Sequence, residues 1–364
     1  MKRILFDIKQ IGTVPPPYGG ISVYIKRLIS NLTKDGYKVG GYYVPDIVNK
    51  EFNSSPLFEK WTWFETYKYP IKIWKFLNTA RKYKIFHSHC SLEMMSYLWT
   101  VKFLFSKHII ITVHNSMVCN YYKKTNFINR FFINRMLQTD KVTWIAVSKE
   151  GKEQLESLPV KSKSPIIVIP AYIPIEQKEH LPLSDSMQSY IDSHNRIISF
   201  YGHSFMLNGG EDVYGFESAL RMYAEICRQK ENIGMIFCIA EIREKEKIEA
   251  LHRIAVELSI NDKIYWQIGA ISNIKSLWRQ THIYIRPTST DGDSVAIREV
   301  LDEGAIVIAS DVCTRPIGVI VYKYNDLNDF IKKVKENLNT PKNEVHYNYE
   351  SYNKMKAIYD RILN

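Results

Sequence analysis

The stretch Arg286-Pro-Thr-Ser-Thr-Asp-Gly-Asp-Ser-Val-Ala-Ile-Arg-Glu-Val-Leu-Asp-Glu-Gly304, followed by Ala305-Ile-Val-Ile-Ala-Ser310, predicts a loop, a helix and a strand in succession. The apolar run Ile283-Tyr-Ile285 leads into the polar loop, and a helix begins near Asp293 or Ser294. Gly304 ends that helix. Two apolar strands joined by a helix form a βαβ unit, which is typical of parallel sheets.

Two carboxylates stand eight residues apart in this unit. Asp291 lies in the loop before the helix, and Glu299 lies about a turn and a half inside it. The first N–H groups of the helix lack intrahelical partners and carry the positive end of its dipole, so an anion can bind there. Acceptors on both sides of an anion suit the hydroxyls of a sugar and of a ribose that flank a diphosphate. The alternative is a capped helix with an exposed acid.

Apolar strands and amphipathic helices alternate along the whole chain, which predicts a parallel α/β fold. In the first half the predicted strands are Ile4–Ile8, Val39–Val44, Ile85–His87, Ile109–Val113 and Thr143–Val147. The predicted helices there are Ile21–Asp35, Pro70–Tyr83, Ser91–Phe105, Phe127–Gln138 and Lys149–Leu158. In the second half the predicted strands are Arg196–Tyr201, Gly234–Ile239, Ile264–Trp266, Ile283–Ile285, Ala305–Ala309 and Val319–Tyr322.

The length of 364 residues favours two domains, because single cores stop growing at about 250–300 residues. We predict a first domain over residues 1–172, completed by a terminal helix over 345–364, and a second domain over 196–344. The polar, proline-containing stretch 173–195 is predicted to be an irregular linker.

Composition restricts the class of protein. No apolar run approaches the roughly 20 residues that a membrane span needs, and the chain enters its first strand without a cleavable signal region. Five scattered cysteines without a C-x-x-C argue against disulfides or a zinc site and for a cytoplasmic location. The net charge of +11 is compatible with a diphosphate, acidic lipid headgroups or nucleic acid. No nucleic-acid-binding motif is present, so nucleic acid is not expected as a partner.

The pair Asp291-Gly292 and Glu299-Val300 resembles the acidic-x7-acidic motif of retaining, nucleotide-sugar-dependent glycosyltransferases of family 4. The Thr-Asp-Gly-Asp-Ser form, with Arg298 before Glu299, resembles a bacterial branch that builds surface polysaccharides. The resemblance implies the GT-B fold: two Rossmann-like domains facing a central cleft, with a C-terminal helix crossing back to the first domain. It also implies that Asp291 holds the donor sugar's hydroxyls and Glu299 the ribose, beside the donor-binding residues Asp293, Ser294 and Val295.

The first half of the chain offers two further candidate sites. Gly19-Gly20 follows the first strand, and paired glycines let backbone amides approach a phosphate or sugar closely. The run Gly19–Val39 resembles the family's opening motif, although any β–α loop can contain two glycines. His114 ends the apolar run Ile109–Val113, and the resemblance makes it a catalytic candidate that touches the donor. His87 and His89 are predicted to be structural.

The family's diphosphate-binding Arg and Lys are missing, because Gly202-His203 and Tyr214-Gly215 stand at their positions. His203, if protonated, and Tyr214 can each donate one hydrogen bond, and Arg298 and Arg315 are candidate substitute cations or merely surface residues. Backbone groups near Ile268 are expected to read the base.

Asp291-Gly292-Asp293 is also a literal Asp-x-Asp, the metal-binding motif of another glycosyltransferase fold. It heads a helix late in the chain, where Asp293 suits an N-cap. We therefore expect no metal ligand and no cofactor.

Aromatic and basic residues interleave in Lys68–Tyr83 and Tyr121–Arg135. This pattern favours an anionic membrane surface, although Phe131, Phe132 and Leu137 are equally suited to a core.

The resemblance as a whole implies retaining transfer from a nucleotide-sugar, with a UDP-sugar favoured, to a glycan or lipid-linked glycan. The setting would be bacterial polysaccharide biosynthesis (capsule, exopolysaccharide or O-antigen) in the cytoplasm, peripherally at the inner membrane face. One alternative is a degenerate GT-B subunit that binds donor without turnover and supports a partner enzyme. Another is a sugar-nucleotide epimerase of the same fold. A dinucleotide-dependent oxidoreductase fits poorly, because no G-x-G-x-x-G follows a strand.

Overall fold

The protein is described here from a computed structural model. It covers residues 6–12, 20–43, 58–60, 77, 80–89, 92, 95–114, 118–175, 181–228, 232–242, 244–269, 271 and 273–364. The chain divides into two compact units, of which the first comprises Met1–Ile173 with Tyr349–Asn364 and the second Pro174–Asn348. The predicted parallel α/β class is confirmed, because each unit has a parallel sheet with helices.

The described part of the first unit is built on a seven-stranded sheet. Its strands are β1 Phe6–Ile11, β2 Val39–Tyr43, β3 Phe58–Lys60, β4 Tyr83–Ser88, β5 His108–Val113, β6 Val142–Ala146 and β7 Ile167–Val168. They are parallel and lie in the order β3-β2-β1-β4-β5-β6-β7. The strand order reverses between β1 and β4, so the carboxyl ends of these strands form a topological switch point, where ligands of open α/β sheets bind.

Helices cover the two faces of this sheet. They are α1 Gly20–Lys34, α2 Met95–Phe105, α3 Val118–Lys124, α4 Phe127–Leu137 and α5 Lys149–Glu156. Successive strand residues point to opposite faces, so Phe86 and Trp144 pack in one core while Ile85 and Ile145 pack in the other. Such strands, buried on both faces, read as the continuous apolar runs seen in the sequence.

The described part of the second unit contains a six-stranded parallel sheet and a short antiparallel hairpin. Its strands are β8 Arg196–Gly202, β9 Leu207–Asn208, β10 Glu211–Asp212, β11 Ile233–Ile239, β12 Ile264–Ile268, β13 Ile283–Arg286, β14 Ile306–Ser310 and β15 Val319–Tyr322. The sheet order is β12-β11-β8-β13-β14-β15, and β9 pairs with β10. The order reverses between β8 and β13, which places the second switch point at the loop that contains Asp291.

The helices of the second unit connect these strands. They are α6 Asp185–Asp192, α7 Phe216–Cys227, α8 Lys245–Glu257, α9 Ile274–Gln280, α10 Val295–Asp302 and α11 Leu327–Asn337, with a 3₁₀ helix at Asn261–Lys263. The predicted βαβ unit is confirmed as β13, α10 and β14, with Gly304 in the left-handed region at φ 79° after the helix.

The last helix, α12 at Glu350–Leu363, belongs to the first unit. Its buried side chains include Tyr352, Met355 and Tyr359, which pack in the core that also holds residues of β1 and α1. The Tyr352 hydroxyl donates to Asp35 Oδ2 at 2.8 Å. The predicted return of a C-terminal helix to the first domain is confirmed, although the helix starts at Glu350 rather than Val345.

The structure corrects two local predictions and adds short elements that had not been predicted. The stretch 173–195 is not irregular throughout, since Ser184 caps α6 and Met187 and Ile191 of that helix are buried in the second unit's core. Tyr83 lies in β4 rather than in a helix. In the rest of the helix predicted from Pro70, Leu77 and Ala80 are helical and residues 81–82 form a turn, while residues 70–76, 78 and 79 lie outside the described residues. The short elements β3, β7 and α3 had not been predicted, because each has too few residues to show a period.

Candidate functional site

The Asp291 carboxylate lies at the switch point of the second unit and is held by two arginine side chains. Arg286, the last residue of β13, donates from Nε to Oδ2 at 3.1 Å and from Nη2 to Oδ1 at 3.3 Å. Arg315 donates from Nη1 to Oδ2 at 2.8 Å. The Gly292 backbone N–H and the Thr288 hydroxyl add hydrogen bonds at 3.1 and 3.5 Å. Both carboxylate oxygens therefore accept from the protein's own donors.

Burial and charge oppose each other in this cluster. The side chains of Arg286 and Asp291 are each 10% exposed and that of Arg315 is 3% exposed. Burial alone would raise the pKa of the Asp291 carboxyl, but Arg286 and Arg315 outweigh it, and the pKa is lowered. Asp291 is therefore ionised at neutral pH. Two guanidinium groups against one carboxylate leave the cluster with one net positive charge.

Arg315 and Arg286 are themselves fixed by further contacts. Arg315 donates to the Ser310 carbonyl at 2.9 Å and to the Thr288 hydroxyl at 3.2 Å. Arg286 donates to the Tyr201 carbonyl at 3.3 Å. The Arg286 guanidinium also lies 5.0 Å from the centre of the Tyr214 ring, within cation–π distance. The structure thus brings together Tyr214, Asp291 and Arg315 from the predicted site.

Arg286 was missed as a site residue. It opens the quoted stretch and is buried at the end of an otherwise apolar strand. A charged residue that ends a buried strand is the signal that could have found it, since a buried guanidinium needs an anionic partner and Asp291 follows five residues later.

The helix N-terminus beside the cluster is capped by Ser294. The Ser294 hydroxyl accepts from the Ile297 N–H at 3.4 Å and sets the start of α10 at Val295. The expectation that Asp293 suits the N-cap was wrong, because Asp293 instead accepts from Arg298 Nε at 2.6 Å. That ion pair also compensates the charge of Arg298, which had been a candidate substitute cation.

Glu299 lies on the buried side of α10. The Trp278 indole Nε1–H donates to its Oε2 at 3.2 Å, and the residue is 6% exposed. Trp278, in α9, is a second residue that sequence reasoning missed, since it lies 21 positions away and is almost wholly buried. This hydrogen bond fixes the position of the Glu299 carboxylate.

His203 and Ile268 occupy the same sheet edge without joining the Asp291 cluster. His203 follows β8, and its Nε2 lies 3.3 Å from Glu241 Oε2, with both side chains partly exposed. Ile268 ends β12, two strands away from β8 in sheet order. Gly269 follows it in the left-handed region at φ 105°, and its N–H donates to the Ile239 carbonyl.

The candidates of the first unit follow its strands β1 and β5 in sequence. Gly20 begins α1 and is exposed, whereas Gly19 lies outside the described residues. His114 follows β5 and is half-buried, with Nε2 3.1 Å from His89 Nδ1. Burial lowers the pKa of His114 to about 3, so its ring is neutral at physiological pH.

Aromatic and basic side chains share one surface of the first unit, formed by α2, α3 and α4. Phe103 and Phe127 are 72% and 76% exposed, and Ile128 and Phe131 are also exposed. The sequence from Val118 to Leu137 contains Lys123, Lys124, Arg130 and Arg135 and no acidic residue. We call this surface the aromatic–basic face. Of the residues that were equally suited to a core, Leu137 is buried and Phe132 is partly buried.

A cavity of about 460 Å³ opens beside the aromatic–basic face. It is lined by residues of α2, α3 and α4, among them Ser96, Tyr121, Asn129 and Phe132. This volume lies in the range of small-ligand pockets.

Two negative findings apply to the described residues alone. Across them, no helix is long and apolar enough to cross a membrane. Within the same ranges, no group of three or more His, Cys, Asp or Glu side chains is arranged to hold a metal ion.

Residues 18–177 match the family model described as Glycosyltransferase Family 4, which covers just under half of the chain. No curated protein matches the sequence. Among solved structures, a glycosyltransferase from Rickettsia africae is 15% identical, with a TM-score of 0.71 over 99% of both chains. Sucrose-phosphate synthase from Thermosynechococcus elongatus is 15% identical, with a TM-score of 0.68 over 98% of this chain and 99% of that one.

A third similar structure is that of HepE from Anabaena in complex with UDP-glucose. It is 12% identical, with a TM-score of 0.65 over 98% of this chain and 95% of that one. Identities this low show the fold alone, and the fold class predicted from the sequence, GT-B, is confirmed. The fold and the family match together support a GT-B glycosyltransferase of the family 4 type.

Proposed function

We propose that this chain, a GT-B protein with a family 4 match, transfers a sugar from a nucleotide-sugar donor to an acceptor with retention of configuration. The observation that carries the proposal is the loop and helix after β13. They put Asp291, the N-terminus of α10 and Glu299 at the switch point of the second unit.

The donor's diphosphate would lie at the N-terminus of α10, where free backbone N–H groups and the helix dipole favour an anion. Glu299 would accept hydrogen bonds from the ribose. The Trp278 indole supports this role, because it holds one carboxylate oxygen in place.

Positive charge for the leaving diphosphate would come from Arg286 and Arg315. The net positive charge of their cluster with Asp291 is fixed before any ligand arrives, and preorganised charge is what stabilises a transition state efficiently. Arg286 and Arg315 would take the role of the family's Arg and Lys, at whose positions this chain has His203 and Tyr214. Asp291 would then position the two guanidinium groups, and it could accept a sugar hydroxyl only where one of its present donors gives way.

A UDP-sugar is the first donor to test, because the similar HepE structure holds UDP-glucose. The reaction would occur on the front face of the sugar, with the donor phosphate assisting the acceptor hydroxyl. The neutral His114 would serve as a hydrogen-bond partner and not as a general acid, since its pKa lies far below neutrality. The proposed mechanism needs no metal.

The acceptor proposed is a lipid-linked glycan of a bacterial surface polysaccharide, met at an anionic membrane surface. The aromatic–basic face supports this part, since lysines and arginines attract anionic headgroups and aromatic rings settle at the interface. The neighbouring cavity offers a recess for part of the acceptor.

Donor binding is tested by calorimetric titration with UDP-, GDP-, ADP- and TDP-sugars, each with and without EDTA. The titration is repeated on Glu299→Ala and on Glu336→Ala, which removes an exposed carboxylate of α11. Selective binding that survives EDTA, is lost in Glu299→Ala and persists in Glu336→Ala supports the proposed site. Binding that EDTA abolishes would contradict metal independence.

A degenerate subunit is the second candidate function. It is favoured by one observation: both oxygens of Asp291 are already occupied by protein donors. Donor binding without transfer to any acceptor, or no binding of any nucleotide-sugar, would indicate such a subunit. Turnover of free nucleotide-sugar without an acceptor would instead indicate an epimerase.

Membrane contact is tested separately by cosedimentation with vesicles of phosphatidylglycerol and phosphatidylcholine. We expect Phe127→Ser with Phe131→Ser to weaken binding several-fold, because both rings are exposed on the aromatic–basic face. Ile317→Ser, which removes a fully exposed apolar side chain from the second unit, is the matched control. Equal binding by all three proteins would contradict a role for this face.

A further inference from the structure

A continuous chain of hydrogen-bonded side chains crosses the switch point of the first unit. It joins the carboxyl ends of β1, β4 and β5 to the terminal helix α12. Its members, in order, are Thr112, His87, Tyr359, Gln10, His89 and His114.

The contacts along this chain are short and shielded from water. His87 Nε2 lies 2.7 Å from Thr112 Oγ1, and His87 Nδ1 lies 2.5 Å from the Tyr359 hydroxyl. Gln10 Nε2 donates to that hydroxyl at 2.9 Å, while Gln10 Oε1 lies 2.8 Å from His89 Nε2. His89 Nδ1 lies 3.1 Å from His114 Nε2. All members except His114 are at least 95% buried.

Burial keeps the three imidazoles neutral. It is the largest cause of a lowered pKa for His87, His89 and His114 alike. A neutral imidazole has one N–H donor and one acceptor nitrogen, so each ring can adopt only one of two tautomers. Each tautomer must match the hydrogen bonds of its neighbours, because an unmade bond is expensive in a buried site.

The orientation of the Gln10 amide decides the tautomers of His89 and His114. Its nitrogen faces Tyr359, so its oxygen faces His89 and can only accept. His89 must therefore carry its hydrogen on Nε2, which leaves Nδ1 as an acceptor. His114 must then donate from Nε2 to His89, so its own Nδ1 is left as an acceptor.

The same amide orientation also decides the tautomer of His87, on the Tyr359 side of Gln10. The buried Tyr359 hydroxyl accepts from Gln10, and among the described residues His87 Nδ1 is the one acceptor within reach of its own hydrogen, so it donates there. His87 then carries its hydrogen on Nε2 and donates to Thr112. All three histidines thus share one tautomer. Reversing the Gln10 amide would reverse every donor in the chain, and all three rings would then carry hydrogen on Nδ1.

Packing against Tyr24 holds the His89 and His114 rings in place. The Tyr24 ring of α1 meets both His89 and His114 edge-on, with ring centroids 5.7 Å apart in each case. Among the described residues, His114 Nδ1 makes no hydrogen bond within the protein, and the residue is half-buried, so this nitrogen is the atom of the chain that is left for a ligand.

We propose that Gln10, His89 and Tyr359 are positioning residues that fix His114 as the Nε2–H tautomer and make its Nδ1 a hydrogen-bond acceptor. A ligand hydroxyl that reaches His114 therefore donates to Nδ1. That use of the nitrogen rests on the proposed glycosyl transfer, whereas the tautomer itself does not. The returning helix α12 thereby acts on a candidate catalytic residue through Tyr359.

The tautomers can be read directly from the ¹⁵N shifts of the ligand-free, ¹⁵N-histidine-labelled full chain. Signals are assigned by their loss in His87→Gln, His89→Gln and His114→Gln. We expect all three rings to show protonated Nε2 and unprotonated Nδ1. Hydrogen on Nδ1 of any of the three rings would overturn the proposal. Because no donor is present, failure here is distinguishable from failure of the proposed function.

The role of α12 is tested by Tyr359→Phe against Tyr352→Phe, which removes another hydroxyl of the same helix outside this chain of contacts. Among the described residues, the Tyr359 hydroxyl is the only hydrogen-bond partner of Gln10 Nε2, so its removal leaves the amide free to reverse. We expect the His114 shifts to move toward the average of the two tautomers in Tyr359→Phe and to stay unchanged in Tyr352→Phe. Unchanged His114 shifts in folded Tyr359→Phe would overturn the coupling.

Gln10→Met tests the same link if Tyr359→Phe does not fold, since it removes both amide contacts and keeps the volume close to that of glutamine. The same movement of the His114 shifts is expected. A pure Nε2–H pattern at His114 in this variant would show that Gln10 does not orient His89, and the proposal would fail.

Discussion

At the level of single residues, Asp291 and its two arginines form a group whose members depend on one another. Burying a charge is costly unless it is paired, and each guanidinium here has its charge partner in the same carboxylate. The spacing to Glu299 predicted that Asp291 lies beside an anion site. The structure adds that Asp291 is already occupied, which changes the role we propose for it from direct sugar contact to positioning of Arg286 and Arg315.

Asp291→Asn should lower the free energy of unfolding of the second unit by about 3–5 kcal/mol, because it leaves two buried guanidinium groups without their counter-charge. Urea unfolding at pH 7 measures the change. Asp262→Asn, which alters an exposed carboxylate in the 3₁₀ helix, should change it by less than about 0.5 kcal/mol. Equal stability of the two variants would show that the arginines do not depend on Asp291.

Acid should destabilise the first unit more than the second. The pKa values of His87, His89, His108 and His114 of the first unit are lowered in the folded state, as is the pKa of His282 in the second unit. The unfolded chain binds protons on these rings below about pH 6.5 and the folded chain does not. The contribution of these neutral rings to the free energy of unfolding is therefore fully present above pH 6.5 and is lost progressively as the pH falls.

The loss should be about 1.4 kcal/mol per pH unit for each such ring, between pH 6.5 and the folded pKa. Unfolding by urea at pH 7.5, 6 and 5 measures it, in a range where carboxylates with normal or lowered pKa values contribute little. His114→Gln should reduce the pH dependence of the first unit's free energy of unfolding by the contribution of one ring, about 1.4 kcal/mol per pH unit. A slope that His114→Gln leaves unaltered would contradict a neutral His114.

At the level of elements, the loop after β13 packs closely against the start of α7. Gly215 precedes α7 at φ 70°, and a Cβ there would lie 2.0 Å from the Pro287 carbonyl oxygen. Tyr214, next to it, meets Arg286. The close approach of the two loops is therefore what brings Tyr214 to the Asp291 cluster.

Gly215→Ala should destabilise the second unit by about 2 kcal/mol or more, since the left-handed backbone alone costs about 1–2 kcal/mol and the clash adds to it. The matched control is Gly292→Ala in the same site, where a Cβ meets nothing within 4 Å. Thermal unfolding followed by circular dichroism compares the two. A larger loss for Gly292→Ala would show that the loops do not depend on this approach.

At the level of the whole molecule, the last residues of the chain complete the first unit and not the second. Helix α12 buries Tyr352, Met355, Ile358 and Tyr359 in the core that also includes Ile8 of β1. A change in α12 should therefore be felt by β1 and β4, which are more than 250 residues away in sequence.

Met355→Ala should destabilise the first unit by about 2–5 kcal/mol, because the side chain is 1% exposed and its removal leaves a cavity. Hydrogen exchange followed by mass spectrometry should show faster exchange in β1 and β4, and unchanged exchange in β8 and β13 of the second unit. Lys354→Ala, on the exposed side of α12, is the control. Loss of protection across both units would contradict the assignment of α12 to the first unit.

The sequence by itself determined the parallel α/β class, most strand positions and the βαβ unit around Asp291, because hydrophobic periodicity, N-caps and terminal glycines act within a few residues. The same local rules misassigned the N-cap by one position, since Asp293 and Ser294 are both good caps. Only the pairing of Asp293 with Arg298 leaves the cap to Ser294.

Tertiary structure decided which charged and polar groups meet. Arg286 ends a strand whereas Arg315 lies in the loop after β14, Trp278 comes from another helix, and Gln10 and Tyr359 lie 349 positions apart. Periodicity in the sequence does not predict such pairs, because they form only when the chain folds and each buried donor needs an acceptor. The roles of these residues in catalysis stay predictions, but their positions follow from that requirement.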